Sequence, residues 1–147
     1  MTKAQWADKV VLISARLKER KALGNEILKN PECISYSLEL IKQQDSLLAT
    51  NAAYGLDIAL RKRIELLQPD LSLFLEVLDL NKIETVSRIL SKICELLTTA
   101  SIKKKAIVLN ENEQQQIIAR CFDWLITNEK VAIKVFAIQS IYNLKDP

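Results

Sequence analysis

Apolar residues recur along this chain at spacings of three and four, in runs long enough for helices of several turns. Trp6, Val10, Ile13 and Leu17 stand at i, i+4, i+7 and i+11, one stripe of an amphipathic helix with Lys9, Arg16, Lys18 and Glu19 facing water. The pattern predicts a first helix over 2–22. Gly24-Asn25 reads as its stop, because glycine takes the left-handed position after a helix at little cost, and Ile27 and Leu28 then plug a short turn. Asn30-Pro31-Glu32 reads as a start signal, with Asn as cap, Pro in the first turn and an acid at the positive helix end. A second helix is expected over 31–43, turning Ile34, Leu38 and Ile41 inward, and a third over 46–67, turning Leu48, Ala52, Leu56, Ala59 and Leu60 inward. Gly55 costs that helix about 1 kcal/mol relative to Ala and marks either a close crossing or a weak point.

Gln68-Pro69-Asp70 ends the third helix and opens a fourth, 70–79, with Leu71, Phe74, Leu75 and Leu78 inward. Asn81 and Glu84 have the spacing of a capping box before a fifth helix, 82–100. Residues 101–110 interrupt the pattern. Asn110 with Glu113 caps a sixth helix, 111–127, and Asn128 caps a seventh, 129–144. That last segment has Val131, Val135, Ile138 and Tyr142 on one side and Ile133, Phe136, Ala137, Ile141 and Leu144 on the next, which predicts burial on two sides. If instead part of it stays exposed, self-association follows, since the outer face of a helical stack is apolar and needs a cover.

A repeat emerges from these elements. Leu38-Glu39-Leu40-Ile41, Leu75-Glu76-Val77-Leu78 and Phe122-Asp123-Trp124-Leu125 share an apolar-acid-apolar-apolar order, and an apolar residue follows each 19 positions on, at Leu60, Leu97 and Leu144. The spacing is 37 and then 47 residues, the second lengthened by about the span of the 101–110 interruption. Two helices in about 40 residues is the period of HEAT and armadillo arrays. The expected architecture is therefore an all-α, α-α superhelix of about seven helices. It would be one HEAT-like domain over 1–147, with an N-terminal helix (2–22) and antiparallel pairs at 31–67, 70–100 and 111–144. Ile133-Lys134-x-x-Ala137-x-x-x-Ile141 matches the HEAT second-helix pattern, whereas Thr50 and Ser87 stand where the first two pairs would carry Lys134.

Composition agrees with few, long elements. The 147 residues include only two glycines and three prolines, too few for the many turns of an all-β fold. The net charge of +3 is local: residues 1–30 carry seven basic side chains against three acidic, and the rest of the chain nets −1. That excess is small for a nucleic-acid binder. No apolar run approaches the length of a membrane span, and no secretory leader pattern opens the chain. Cys33, Cys94 and Cys121 are odd in number and widely spaced, which points to reduced core thiols and a cytoplasmic setting.

The stretches Asn30-Pro31-Glu32, Ile93-Cys94-Glu95-Leu96-Leu97, the segment from Gln116 through Ile126 and the segment from Glu129 through Lys134 resemble a small bacterial family of HEAT-like proteins. Its members are often labelled adenylosuccinate lyase without carrying that enzyme's motifs, and the resemblance is densest over 111–144. It implies a HEAT-like fold and bacterial origin rather than an activity. Members continue for a further helical pair, so a chain stopping at Asp146-Pro147 reads as a short or truncated member.

The lyase chemistry needs a histidine acid and a serine base on a glycine-containing loop, and the chain has no histidine and no such loop. The same absence removes Ser-His and Cys-His nucleophiles and the commonest zinc ligand, and two isolated glycines make no phosphate-binding loop. No cofactor is implied, and Glu39, Glu76 and Asp123 read as solvated or capping acids rather than a catalytic pair. The remaining expectation is a non-catalytic scaffold whose second helices line a concave face for an unidentified protein or peptide, through Thr50, Ser87 and Lys134, with Trp124 as either core or anchor. Arg61-Lys62-Arg63 and Lys103-Lys104-Lys105 are the groups a nucleic acid would meet, and they read equally as solvated helix ends.

Overall fold

A computed structural model describes residues 1–145 as helices joined by short connections. In chain order the α-helices are α1 (Lys3–Leu12), α2 (Leu17–Lys29), α3 (Glu32–Lys42), α4 (Ser46–Lys62), α5 (Leu71–Leu80), α6 (Glu84–Ile102), α7 (Glu111–Ile126) and α8 (Val131–Leu144), with a 3-10 helix at Ile64–Asp70 between α4 and α5. The protein is all-α. The eighth α-helix arises at the N-terminus, where one helix was expected over 2–22 and two are present. Asp146 and Pro147, where a short or truncated chain was read, lie outside the described residues.

The break between α1 and α2 has a tertiary cause. The buried side chain of Asn51, from α4, donates to the carbonyls of Val10 (3.0 Å) and Ile13 (3.2 Å), so the last turn of α1 finds its partners outside its own helix. Ile13 and Arg16 are extended, and Ser14 donates through its amide and its hydroxyl to the Glu19 carboxylate in the first turn of α2. Those two bonds hold the Glu19 carboxyl below the usual glutamate range. Leu17, expected on the buried stripe, is consequently exposed, while Trp6 and Val10 are fully buried and the Trp6 indole donates to Ser37 (2.9 Å).

Gly24 is not a stop. It lies inside α2, and its missing side chain lets α4 approach: a Cβ there would meet Ile58 Cγ2 at 2.4 Å. A Cβ on Gly55 would meet Leu23 Cδ2 at 2.9 Å. Both glycines therefore serve one close crossing of α2 on α4, and the helix-propensity cost at Gly55 is what allows that contact.

The odd-numbered helices α1, α3, α5 and α7 pack in succession to form one layer, and α2, α4, α6 and α8 pack in succession to form the other. The N-terminal segment thus adds one helix to each layer, with α1 packed on α3 and α4 and α2 packed chiefly on α4. A polar seam crosses the stack at its turns. Gln44, in the left-handed region at φ 58°, donates to Asn81 Oδ1 (2.9 Å) and accepts from the Lys82 amide (2.9 Å), and Arg120 donates to the Asn81 carbonyl (3.3 Å).

Asn81 is not the cap expected for α6. The cap position is Ile83, without a side-chain bond, and buried Asn81 instead donates to the Ile83 carbonyl and to Ser87 Oγ. Nor does Asn128 cap α8, whose cap position is Lys130. The Asn110–Glu113 capping box at α7 is present as expected. α4 stops at Lys62 rather than at 67, and the 3-10 helix that follows buries Leu67. From it, Gln68 exchanges two hydrogen bonds with the backbone of Val108, which pins the 101–110 connection and seats Ile107 and Leu109 in the core.

Candidate interaction surface

α8 buries two polar residues beside Ile133, Ala137 and Leu144 and exposes an apolar stripe. Ser140 and Asn143 face inward. Asn143 donates to the hydroxyls of Thr98 and Thr99 on α6 (both 3.0 Å) and accepts from Gln139 (2.9 Å), while Ser140 donates to the Phe136 carbonyl. These bonds satisfy polar atoms that would otherwise cost about 1–3 kcal/mol each in the interior. Around the helix from them, Val131, Val135, Ile138 and Tyr142 are 77%, 53%, 56% and 56% exposed. Their spacing of four, three and four places them on one stripe. The expectation of burial on two sides is corrected in part: Ile133, Ala137 and Leu144 are buried against α6 and α7, whereas this stripe is exposed.

α7 extends the surface. Gln116, Ala119, Arg120 and Asp123 line a groove with Leu75, Glu76, Leu78 and Asp79 of α5. Ile118, Phe122 and Ile126 lie on a different stripe, turned away from α5, and Phe122 and Ile126 are exposed. Ile118 lines a groove with Glu111, Gln114 and Gln115 and, at the end of α8, Leu144 and Lys145, and Lys134 donates weakly to the Leu125 carbonyl across the α7–α8 turn (3.5 Å). Exposed apolar side chains thus stand on both helices of the last pair.

The repeat positions sharpen this observation. Leu38 and Ile41 of the first repeat segment and Leu75 and Leu78 of the second are buried. The same positions in the third are Phe122, exposed, and Leu125, half-buried. α3 packs against α5 and α5 against α7, so the first two segments each have a following helix in their layer. The third presents the same chemistry to the outside.

The contact between α6 and α8 includes polar pairs that this face lacks. Glu84 pairs with Lys130 (3.0 Å), the Lys92 ammonium lies 5.1 Å from the centre of the Phe136 ring, and Thr98 and Thr99 meet Asn143.

Of the residues expected to line a partner face, two are corrected. Trp124 is 1% exposed, with the Arg120 guanidinium over its ring, and belongs to the core. Ser87 is buried and accepts from Asn81, which makes it part of the polar seam. Thr50 and Lys134 are half-buried, on α4 and α8, with α6 packed between those helices. These four side chains do not form one surface.

In the basic clusters, Arg61 is paired with Asp57 (2.7 Å), Arg63 with Glu65 (3.0 Å), and Lys62 reaches Asn25 (3.4 Å). Lys103, Lys104 and Lys105 are exposed in the turn after α6, with Lys105 in the left-handed region. Glu39 and Glu76 meet lysines of the preceding helix in their layer, Lys3 and Lys42, the latter at 2.6 Å.

All three cysteines are free and buried. Burial pushes the Cys33 thiol up to about 11. Hydrogen bonding to Cys121, together with burial, raises Cys94 well above the usual thiol range. Neither is set up as a nucleophile at neutral pH. Among the described residues no three His, Cys, Asp or Glu side chains converge as a metal site would require, and no helix is long and apolar enough to cross a membrane.

The outward stripe of α8 was visible in the sequence as two adjacent apolar sides. The sequence pattern lacked the signal that Ser140 and Asn143, rather than the valines, would meet α6. No protein-family profile, curated protein or solved structure matches this chain.

Proposed function

We propose that this chain is a non-catalytic helical-repeat scaffold, HEAT-like in its two layers of successive helices, and that it binds a protein partner through the outer face of α7 and α8. The observation that carries the reading is the exposure of Phe122 where its repeat counterparts Leu38 and Leu75 are buried, continued by the four-residue stripe of α8. Contiguous apolar patches beyond a few hundred Å² are uncommon on free surfaces and mark docking sites. Two aromatic residues, Phe122 and Tyr142, stand in this one, and aromatic side chains are the usual anchors of interfaces. The partner is thus a protein surface able to bury apolar side chains, rather than the peptide on a concave face suggested by Thr50, Ser87 and Lys134. The free buried thiols support a reduced, cytoplasmic setting.

The test is capture from a nuclease-treated bacterial lysate on immobilised wild-type chain and on Ile138→Lys, read by mass spectrometry. The expected result is a stoichiometric protein retained by wild type and lost from the variant. Equal capture by both, or recovery of nucleic acid alone when nuclease is omitted, contradicts the reading.

A further inference from the structure

α1 is fastened to the stack by little. It packs on α3 and α4, and between it and α2 lies an open groove of about 260 Å³, with Leu12 and Ile13 on one side and Ala22 and Leu23 on the other. Of its ten residues only Trp6 and Val10 are buried. α2, by contrast, is seated on α4 through the crossing at Gly24 and Gly55, which involves no residue of α1.

The ties on α1 come from polar side chains of α3 and α4. The Trp6 indole donates to Ser37 (2.9 Å), the Tyr36 hydroxyl donates to the Met1 carbonyl (3.3 Å), and Asn51 donates to the carbonyls of Val10 and Ile13. Water can take over each of these bonds once α1 lifts, so opening strands no polar atom in the interior. The pairs Lys3–Glu39 (3.9 Å) and Lys9–Glu26 (3.7 Å) join partly exposed side chains, where such pairs contribute little. A helix of ten residues is marginal by itself in water, so lifting α1 also melts it. The connection to α2 is suited to such a movement: Ile13 and Arg16 are extended, and Ser14 is fastened to Glu19 of α2 rather than to α1.

We infer that α1 is a strap that opens as one unit about the connection at Ile13–Arg16 while α2 to α8 stay folded, uncovering a strip of α3 and α4 that carries Cys33, Ser37 and Asn51. With the strap closed, Cys33 is fully buried, its Sγ 3.9 Å from Met1 Sδ. Ser37 and Asn51 are the side chains that hold α1 down, so the covered strip is shaped for a helix with an indole donor and an aliphatic side chain one turn on.

The native cysteines test this in the full chain. Wild type is treated with iodoacetamide in native buffer, and the modification of each cysteine over time is read by peptide mass spectrometry. Cys33 is expected to react at least about tenfold faster than Cys94 and Cys121, with a rate nearly independent of low urea concentrations, because the other two wait for unfolding of the stack and gain steeply with urea. Asn51→Ala releases α1 at the end far from Cys33, and it is expected to raise the Cys33 rate relative to the other two on the order of tenfold. Trp6→Phe, which keeps a ring and loses the bond to Ser37, is expected to act in the same direction and serves if Asn51→Ala does not fold.

One rate and one urea dependence for all three cysteines would mean that α1 opens only with the whole stack, which overturns the inference. A fast Cys33 that neither variant accelerates overturns it too, since the exposure then comes from Met1 alone and not from the helix.

Discussion

α2 and α8 are the two outer helices of the same layer, each with one neighbour within that layer, yet they are finished in opposite ways. α2 turns Lys18, Lys21, Asn25 and Lys29 to water and meets α4 through a glycine-to-glycine crossing in which no further atom fits. α8 turns Val131, Val135, Ile138 and Tyr142 outward and meets α6 through hydrogen bonds among Asn143, Thr98 and Thr99. Exposed apolar side chains do exist near α2, at Leu12 and Leu17, but they sit at the α1–α2 connection among Arg16, Lys18 and Glu19. The difference shows that an outer helix can be closed by surface charge or left apolar, with different inward packing in the two cases.

The sharpest way to break this comparison is to add volume at each helix. Gly24→Ala places a methyl 2.4 Å from Ile58 Cγ2, next to a β-branched side chain with little freedom to move. Overpacking of this kind costs about 1–3 kcal/mol and outweighs the gain of about 1 kcal/mol in helix propensity at the severe end of that range. A clear net loss, on the order of 2 kcal/mol, is expected in urea unfolding. Val135→Ile on α8 adds the same single methylene-sized increment at an exposed position, and a change within about 0.5 kcal/mol is expected. Equal losses at the two sites would remove the distinction between a closed edge and an open one.

The next effect tests how each outer pair is tied to the stack. Asn143→Ala leaves the buried Thr98 hydroxyl without its donor on α8, and Asn51→Ala leaves the Val10 and Ile13 carbonyls without theirs. Each is expected to lose roughly 1–3 kcal/mol. Native-state hydrogen exchange separates them. Asn143→Ala should loosen α8 while leaving α1 protected, and Asn51→Ala should do the reverse. Uniform loosening in both variants would mean that the pairs do not respond separately.

The distinction between these regions was only partly legible in the sequence. Stripes with a 3.6 period at Ile34-Leu38-Ile41 and Val86-Ile89-Leu90-Ile93-Leu97 predicted buried faces correctly, because each lies between two neighbours. The α1–α2 break was missed because its cause, Asn51, comes from another helix about forty residues away, while Gly24 offered a misleading local stop. Gly24 and Asn81 were assigned the roles that residues of their types most often take, a helix stop and a cap. Tertiary contacts assigned them to a helix crossing and a polar seam. At the candidate face, the apolar residues of α8 were evident, but the face they would show depended on Ser140 and Asn143 finding partners on α6. Trp124 and Ser87 shared repeat positions with plausible contact residues, and in the structure both belong to the interior.

The smallest expected effect concerns the connection at α2. The Glu19 carboxyl is depressed by the Ser14 hydrogen bonds, so its contribution is present above the unfolded-state glutamate range and is lost as pH falls through the lower folded value. Residues 13–17 are expected to exchange faster in mildly acidic solution below the ordinary glutamate range, with α8 unaffected. Ser14→Ala removes the hydroxyl bond and keeps the amide bond, so it should weaken that dependence, and an unchanged pH profile would show that the connection is held by other means.

The central claim is that the outer face of α7 and α8 becomes covered. Methyl NMR of the wild-type chain titrated with the protein captured through Ile138 tests it most directly. Shifts are expected at Val131, Val135 and Ile138, with the methyl groups of buried Ile27 and Ile89 unchanged. Shifts absent from all five residues, or equal in all of them, would contradict it.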